Sequence, residues 1–251
     1  MTALPPARRI RRTLLVGVIS TGLAAGLAAC GGDDDPDAGT NGVGKLAPGK
    51  IQSRTVKAAQ GADAVHVSGT VVSSGKTYKL DMRLNADGGS GSVTTGGSTF
   101  RLLRVGEHLY LKAGTDFWTH SDDDKSGHDE GAAAEKLDGK YVKVPTGDPA
   151  YKRLSTFTDK EVLLDGLLTL HGTVEKGDRG TSGGVRTIEL TGDKGAGGTL
   201  DVSLEGTAYP MRLERAGGAG TLQLADWGRD FTLREPESGD TVDYGQALPS
   251  S

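Results

Sequence analysis

The sequence contains a single cysteine among 251 residues, so an intramolecular disulfide framework is impossible. Large aromatic side chains are also scarce, with four Phe, two Trp and six Tyr. The uncharged run at residues 13–29 is shorter than the ~20 residues that a membrane-spanning helix needs, and it is interrupted by glycines. These shortages exclude a disulfide-stapled scaffold and argue against a spanning helix at the N-terminus. They leave the one thiol, Cys30, to be explained.

The N-terminal segment has the organisation of an export signal. Four arginines between positions 8 and 12 precede the uncharged run, which ends in Leu27-Ala28-Ala29-Cys30. This ending matches a lipobox, in which small residues allow cleavage and the following thiol takes up a lipid. The alternative, a buried structural cysteine, is disfavoured because a lone thiol in an exported protein requires another role. We therefore predict that residues 1–29 are a lipoprotein signal peptide and that lipidated Cys30 anchors the chain to the outer face of the cytoplasmic membrane.

Charge and composition divide the remainder of the chain. Loss of residues 1–29 removes four arginines and no acids, so the formal charge falls from −4 to −8. An acidic product of this kind argues against nucleic acid as a partner, because phosphate binding needs clustered Lys and Arg. Residues 30–45 are rich in Gly and Asp and are predicted to be the acylated Cys and a flexible tether. Residues 46–240 are predicted to be one domain, and residues 241–251 a C-terminal tail.

The dominant pattern within the predicted domain is alternation of apolar and polar residues. Leu80, Met82 and Leu84 alternate with polar residues, which is typical of a strand with one buried face. Gly-rich turns between such segments favour antiparallel hairpins. The same pattern predicts further strands through Val65, Val67 and Val71, through Leu109 and Leu111, through Ile188 and Leu190, through Leu200, Val202 and Leu204, through Tyr209, Met211 and Leu213, through Leu222 and Leu224, and through Phe231 and Leu233.

Three segments are predicted to be helices that cover this sheet. One begins near Pro48, and a second begins at Asp148-Pro149, with Asp as the cap. The third follows the capping-box spacing from Thr158 to Glu161 and continues into a Leu-rich stripe. The predicted fold class is α+β, with a single strongly curved antiparallel sheet of about ten strands, a half-barrel, and helices packed on its concave face.

A wide sheet with few bulky side chains predicts an apolar hollow under the helices, because packed interiors tolerate few large voids. Phe117 and Trp118 are candidates for the mouth of this hollow, although an aromatic pair is more often part of a core. The residues predicted to line the cavity itself are Leu80, Met82, Leu84, Leu109, Leu111, Val142, Leu163, Leu167 and Met211.

Several segments, together with the lipobox, resemble the LppX/LprG-type lipoproteins of actinobacteria. They are Leu109-Tyr110-Leu111-Lys112 with Phe117-Trp118, residues 137–145, and residues 209–213. The resemblance extends over residues 46–236. That family is similar in fold to the LolA lipoprotein carriers. The resemblance implies a half-barrel sheet and helices that enclose a hydrophobic cavity for acyl chains.

Catalytic and metal motifs are weak in this sequence. Residues 180–184 match the G-x-S-x-G string, but no histidine follows His171, and a hairpin turn is favoured. Residues 73–76 match S-x-x-K between two predicted strands and are also interpreted as a turn. The acidic segment 120–130 matches no calcium loop and is predicted to be a mobile, dispensable loop. We predict no catalytic residues, no metal and no cofactor.

Two hypotheses of different classes remain. In the first, the protein carries a lipid or lipoglycan whose acyl chains occupy the cavity. In the second, it is a non-catalytic adaptor with a solid core that binds a protein partner at the cell envelope. The volume of the cavity distinguishes them.

Overall fold

The described part of the chain comprises residues 36–119 and 130–243 of a computed structural model. The predicted signal peptide, Cys30 and the acidic segment up to residue 129 lie outside these residues. From Asp37 onwards the chain belongs to one compact unit.

A single sheet of twelve strands forms the framework. Its strand order is β12-β6-β5-β4-β3-β2-β1-β11-β10-β9-β8-β7, and all neighbours are antiparallel except β12 and β6, which are parallel. The sheet is open and curved, as predicted for this α+β chain. The strands are β1 (Ala64–Ser73), β2 (Lys76–Asn85), β3 (Gly88–Thr95), β4 (Ser98–Val105), β5 (His108–Ala113), β6 (Tyr141–Val144), β7 (Val174–Ser182), β8 (Val185–Gly192), β9 (Thr199–Ser203), β10 (Pro210–Glu214), β11 (Gly220–Ala225) and β12 (Thr241–Asp243).

Five α-helices accompany the sheet in the described residues. The three predicted helices are confirmed, and two further short helices lie between β5 and β6. The helices are α1 (Pro48–Gln60), α2 (Thr115–Thr119), α3 (Glu130–Leu137), α4 (Pro149–Ser155) and α5 (Lys160–Leu168).

The predicted alternation determines which face of the sheet is buried. In β2, Leu80, Met82 and Leu84 are almost fully buried, whereas Lys79, Asp81 and Arg83 are exposed. The buried face packs against Ile51 of α1 and Leu164 and Leu168 of α5 in one continuous core. The core therefore lies between the inner face of the sheet and the helices, as the binary pattern predicts.

The sheet is continuous through the pair β1–β11, which joins its two halves. Gly69 and Gly220 have φ angles of 134° and 119°, a region that L side chains rarely adopt. A Cβ at Gly220 would collide with the backbone oxygen of Thr70, and one at Gly69 with that of Thr221. Glycine is therefore required where these strands approach each other closely.

The predicted tether is partly ordered, which corrects its boundary. Asp37 forms an ion pair with Arg179, with 2.7 Å between carboxylate and guanidinium. The amide of Asn41 donates hydrogen bonds to the backbone oxygens of Ser203 and Gly206, and Val43 is fully buried. The tether prediction was wrong for residues 37–45, because a polar, glycine-rich segment can be held by specific hydrogen bonds without an apolar stripe.

The predicted strand through Phe231 and Leu233 was also wrong. Residues 226–237 contain no strand and run past strand ends, where Asn85 donates to the backbone oxygen of Phe231. The neighbouring strand β11 already pairs with β1 and β10, so no strand edge remains there for this segment. The chain then pairs as β12 beside β6, so the sheet includes residues 241–243, which were predicted as tail.

The turn interpretations of both catalytic-looking strings are confirmed. Ser182 ends β7, and Gly183 and Gly184 form the turn to β8, with φ angles of 58° and 81°. Ser74 and Gly75 form the turn between β1 and β2 in the same left-handed region. Neither string lies at the start of a helix, so neither has the backbone that its catalytic counterpart needs.

Candidate functional site: an apolar groove beside helix α5

Helix α5 is fixed at its N-terminus by a cap and an ion pair. Asp159 is the N-cap, and its carboxylate accepts a hydrogen bond of 3.0 Å from the backbone N–H of Val162. The same carboxylate lies 3.2 Å from a guanidinium nitrogen of Arg104 on β4. Thr158, the predicted cap, is instead buried and bonded to Arg104. The capping residue is therefore one position later than predicted, and the cap ties α5 to the sheet.

A buried lysine links α5 to α1. Lys160 has only 6% of its surface exposed, and its ammonium donates to the backbone oxygens of Gln60, the last residue of α1, and of Ala62. An ammonium at a helix C-terminus satisfies carbonyls that lack intrahelical partners and opposes the negative end of the helix dipole. Since Lys160 and Ala62 are buried, this contact holds α5 in a defined position beside α1.

Two stripes of α5 face different surroundings. Leu164 and Leu168 point into the core and are almost completely buried. Leu163 is only partly buried, and Val162 is 53% exposed, the most exposed large hydrophobic residue described. This second stripe borders open space rather than a neighbouring element.

That space is an apolar groove of about 400 Å³ between α5, the end of α4 and the β1–β2 hairpin. It is open to solvent along one side. Apolar groups form most of its walls, and the polar contributors are Ser73, Thr156, Arg153 and Arg215. The other lining residues are Val71, Tyr78, Leu80, Phe157, Val162, Leu163, Gly166 and Leu167. We call this site the apolar groove.

Aromatic contact shapes one wall of the apolar groove. The rings of Tyr78 and Phe157 lie 5.7 Å apart at an interplanar angle of 42°. Their packing joins the segment after α4 to β2, and both rings remain only partly buried. A half-open wall of aromatic and aliphatic groups can receive an apolar chain along its length, but it offers no nucleophile or acid–base pair.

The structure separates the predicted cavity residues into several places. Leu80, Leu163 and Leu167 line the apolar groove. Phe117 and Trp118 lie on α2, where the Phe117 ring is 5.2 Å from Phe100 and 5.1 Å from Trp118, and both pack against the core. The other predicted residues on β2, β5 and β6 are packed in the core; they are Met82, Leu84, Leu109, Leu111 and Val142.

Met211 occupies a different position from its predicted one. The register between β9 and β10 shifts between Pro210 and Arg212, so Pro210 and Leu213 face the core while Met211 is half-buried at the bulge. A bulge adds one residue to a strand and interrupts the alternation on which the prediction of Tyr209, Met211 and Leu213 as one face depended.

Long side chains of β2 fill part of the interior between the sheet and the helices. Met82 and Leu84 of β2 lie opposite Gly91 and Gly89 of β3. A Cβ at Gly91 would lie 2.6 Å from the sulfur of Met82, so this side chain fills the space above the glycine. Glycine on one strand therefore lets the long side chains of its neighbour occupy volume that large aromatic residues would otherwise fill.

Sequence reasoning missed most of the groove residues as site residues. Tyr78, Phe157 and Val162 were assigned to a strand and two helices without a role, and Arg153, Gly166 and Arg215 carried no motif. The residue that could have indicated the groove is Val162, because it is apolar but lies outside the buried stripe of its helix. Arg215 lies directly after β10, and nothing in the local sequence indicates that it faces α5.

The outer face of the sheet carries a separate acidic cluster. Burial raises the pKa of Glu189 on β8 and of Asp201 on β9, and neighbouring acids add to the effect on Glu189. Within the part of the chain that the structure describes, no group of three or more His, Cys, Asp or Glu side chains has the geometry of a metal site. In the same residues, no helix is both long and apolar enough to cross a membrane.

Comparisons with known proteins relate this fold to lipoproteins of mycobacteria. No family model matches the chain, and no curated protein is a significant relative. Among solved structures, LprF from Mycobacterium bovis superposes with a TM-score of 0.51 at 17% identity, over 76% of this chain and 99% of that protein. LppX from Mycobacterium tuberculosis has a TM-score of 0.43 at 17% identity, over 74% of this chain and 99% of that protein. The chain thus has the fold of LprF, and the resemblance to LppX/LprG-type proteins is confirmed at the level of the fold.

Proposed function

We propose that this chain is a membrane-anchored, extracytoplasmic lipoprotein that binds a lipid acyl chain in the apolar groove and carries it at the cell envelope. The observation that supports the proposal is the groove itself, an open apolar channel that rigid elements hold in place. Its residues offer binding and no catalytic constellation, so the proposed protein is a carrier rather than an enzyme.

The size of the groove fits one acyl chain. A methylene group occupies about the volume of a water molecule in the liquid, ~30 Å³, so 400 Å³ holds roughly a dozen methylenes. Burial contributes about 0.8 kcal/mol per methylene, or roughly 10 kcal/mol for a dozen. Association itself costs at least about 4 kcal/mol, so at most about 6 kcal/mol remains, and we expect a Kd of roughly tens of micromolar or weaker.

The anchoring part of the proposal depends on the N-terminal sequence. The arginines before residue 13, the uncharged run and Leu27-Ala28-Ala29-Cys30 together support export and lipidation of Cys30. Two acyl chains on this residue would hold the protein at the outer face of the cytoplasmic membrane. The groove would then be close to the lipids that it is proposed to receive.

The adaptor hypothesis keeps one specific observation in its favour. Met82, Leu84, Leu109, Leu111 and Val142 form a packed interior, as expected of a solid platform for a protein partner. In that case the exposed Val162 and the aromatic wall would form part of a protein interface. Binding of an acyl probe in the groove distinguishes the two functions.

Gly166 permits a clean test of acyl binding. It lines the groove, and a Cβ placed on it meets nothing within 4 Å. Gly166→Trp would fill the groove, whereas Gly166→Ala leaves it open, and both replace a helical glycine by a better helix former. We expect Gly166→Trp to reduce the affinity for a fluorescent dodecanoyl probe at least tenfold and Gly166→Ala to change it less than twofold.

Thermal unfolding of both variants provides the control for folding. Leu111 was also predicted to line the cavity. Leu111→Trp is nevertheless unsuitable as a test of binding, because Leu111 is 98% buried and a larger side chain would disrupt the core. If the wild-type protein binds no acyl probe, the carrier function fails and the adaptor function stands.

A further inference from the structure

A second cavity adjoins the apolar groove and differs from it in polarity. It has a volume of about 210 Å³ and lies between the C-terminal end of α5, the turn after β10 and the loop at Gly197. Gly166, Leu167 and Arg215 line both spaces, so the two adjoin at these residues. We call this second space the polar cavity. A polar cavity beside an apolar groove matches the two parts of an amphiphile, a headgroup and a chain.

Cationic groups lie where the headgroup of such a molecule would be placed. Arg215 stands at the junction of the two spaces and is only half-exposed. Arg153 also lines the apolar groove. A guanidinium presents up to five N–H donors, and its planar fork matches a carboxylate or a phosphate.

Two features of the polar cavity act against an anion. Glu214 lines it, and the carbonyl end of α5 is adjacent at Thr169. The carboxylate of Glu214 is, however, already paired with the guanidinium of Arg212 on the same strand. The partial charge at a helix terminus is about half an elementary charge and is smaller than the full charge of Arg215. The balance at the junction therefore favours an anionic group.

We propose that the ligand is a single-chain amphiphile with an anionic headgroup, whose phosphate or carboxylate is bound by Arg215 while its acyl chain lies in the apolar groove. This inference rests on the proposed function and adds the chemistry of the headgroup to it. Selectivity then arises at the junction of the two spaces, because contacts along the apolar walls are non-directional.

Competition among lipids with the same chain tests the proposal. The described helices and strands belong to one unit that starts at Asp37 and has its own core. The binding experiment therefore uses residues 31–251. Four lipids with the same chain length compete with a fluorescent dodecanoyl probe. Of these, 1-lauroylglycerol is neutral, 1-lauroyl lysophosphatidic acid and laurate are anionic, and dodecyltrimethylammonium is cationic. We expect at least one anionic lipid to bind about tenfold more tightly than the neutral one, and the cationic lipid to bind more weakly.

Arg215→Gln assigns that preference to a residue, and Arg101→Gln on the exposed face of β4 is the matched control for overall charge. In each protein the preference is the ratio of anionic to neutral affinity; we expect it to disappear in Arg215→Gln and to persist in Arg101→Gln. If only lysophosphatidic acid binds more tightly than the neutral lipid, the headgroup is a phosphate. If only laurate does, the headgroup is a carboxylate. Equal binding of all four lipids, a cationic preference, or an anionic preference that survives Arg215→Gln overturns the headgroup inference and leaves acyl binding intact. Failure of every lipid to displace or bind overturns the proposed function as well.

Discussion

At the scale of single residues, Glu235 joins the segment after β11 to strand β5. Its carboxylate lies 2.6 Å from Nδ1 of His108 and accepts a hydrogen bond of 3.0 Å from the hydroxyl of Tyr110. The hydrogen bond with His108 lowers the pKa of Glu235, and the one with Tyr110 adds to this. Burial, followed by the contact with Glu235, raises the pKa of Tyr110 to about 12.

This contact predicts a pH-dependent contribution to stability. Because the folded pKa of Glu235 lies below its unfolded value of about 4.3, its contribution is present above that pH and is lost as the pH falls through the folded pKa. We therefore expect Glu235→Gln to lower the urea midpoint relative to wild type at pH 6, and the difference to shrink towards pH 3. Glu237→Gln, a nearby exposed change, is the control. A deficit of equal size at both pH values would show that the ionised carboxylate is not responsible.

The identity of buried residues could be predicted, but the identity of site residues could not. Alternation in β2 places Leu80, Met82 and Leu84 on one face, and all three are buried there. Only Leu80 reaches the apolar groove, because the glycines of β3 opposite the other two leave room for them in the core. That difference depends on which strand lies beside β2. The periodicity of one segment does not reveal the identity of its neighbour.

At the scale of elements, local signals located helices better than they located their ends. Asp148 caps α4 and accepts a hydrogen bond of 2.7 Å from the N–H of Ala150, as the Asp-Pro pair predicts. The start of α5 was predicted one residue too early, because Thr158 and Asp159 are both good caps and the choice depends on Arg104 from a distant strand.

Irregular elements were the hardest to predict. The segment after β11 has strand-like alternation at Phe231 and Leu233, yet it follows the ends of strands and is held by hydrogen bonds such as that from Gly228 to Ala64. The ordered segment at Asp37 and Asn41 is likewise held by polar contacts with residues more than 140 positions away. Both depend on partners that are distant in sequence, so neither has a periodic signature.

At the scale of the whole molecule, the sheet was predictable and the location of its open space was not. Frequent glycine turns and alternating segments indicated a wide antiparallel meander, and the structure has twelve strands in one sheet. The scarcity of aromatic residues suggested a central hollow. Among the described residues, an open apolar space lies at the edge of the helical layer, where α5 does not fully cover the β1–β2 hairpin.

Membrane anchoring is also a property of the whole molecule, and its prediction depends on lipidation of Cys30. Cys30→Ala removes the thiol that lipidation requires, so we expect the protein to leave the membrane fraction or to remain unprocessed. Fractionation of cells that express the variant, with detection of the protein in membrane and medium, measures this. Ser182→Ala, a change at a hairpin end, is the control for altered expression. Membrane association that is unchanged in Cys30→Ala would contradict the anchor.

The central claim is that the apolar groove holds an acyl chain. The most direct measurement is mass spectrometry of organic extracts from wild-type, Gly166→Ala and Gly166→Trp proteins, each purified in the same way from the cells that make it. We predict about one acyl amphiphile per molecule for wild type and Gly166→Ala, and its loss from Gly166→Trp. Equal amounts of lipid in all three extracts, or none from the wild-type protein, would contradict the account.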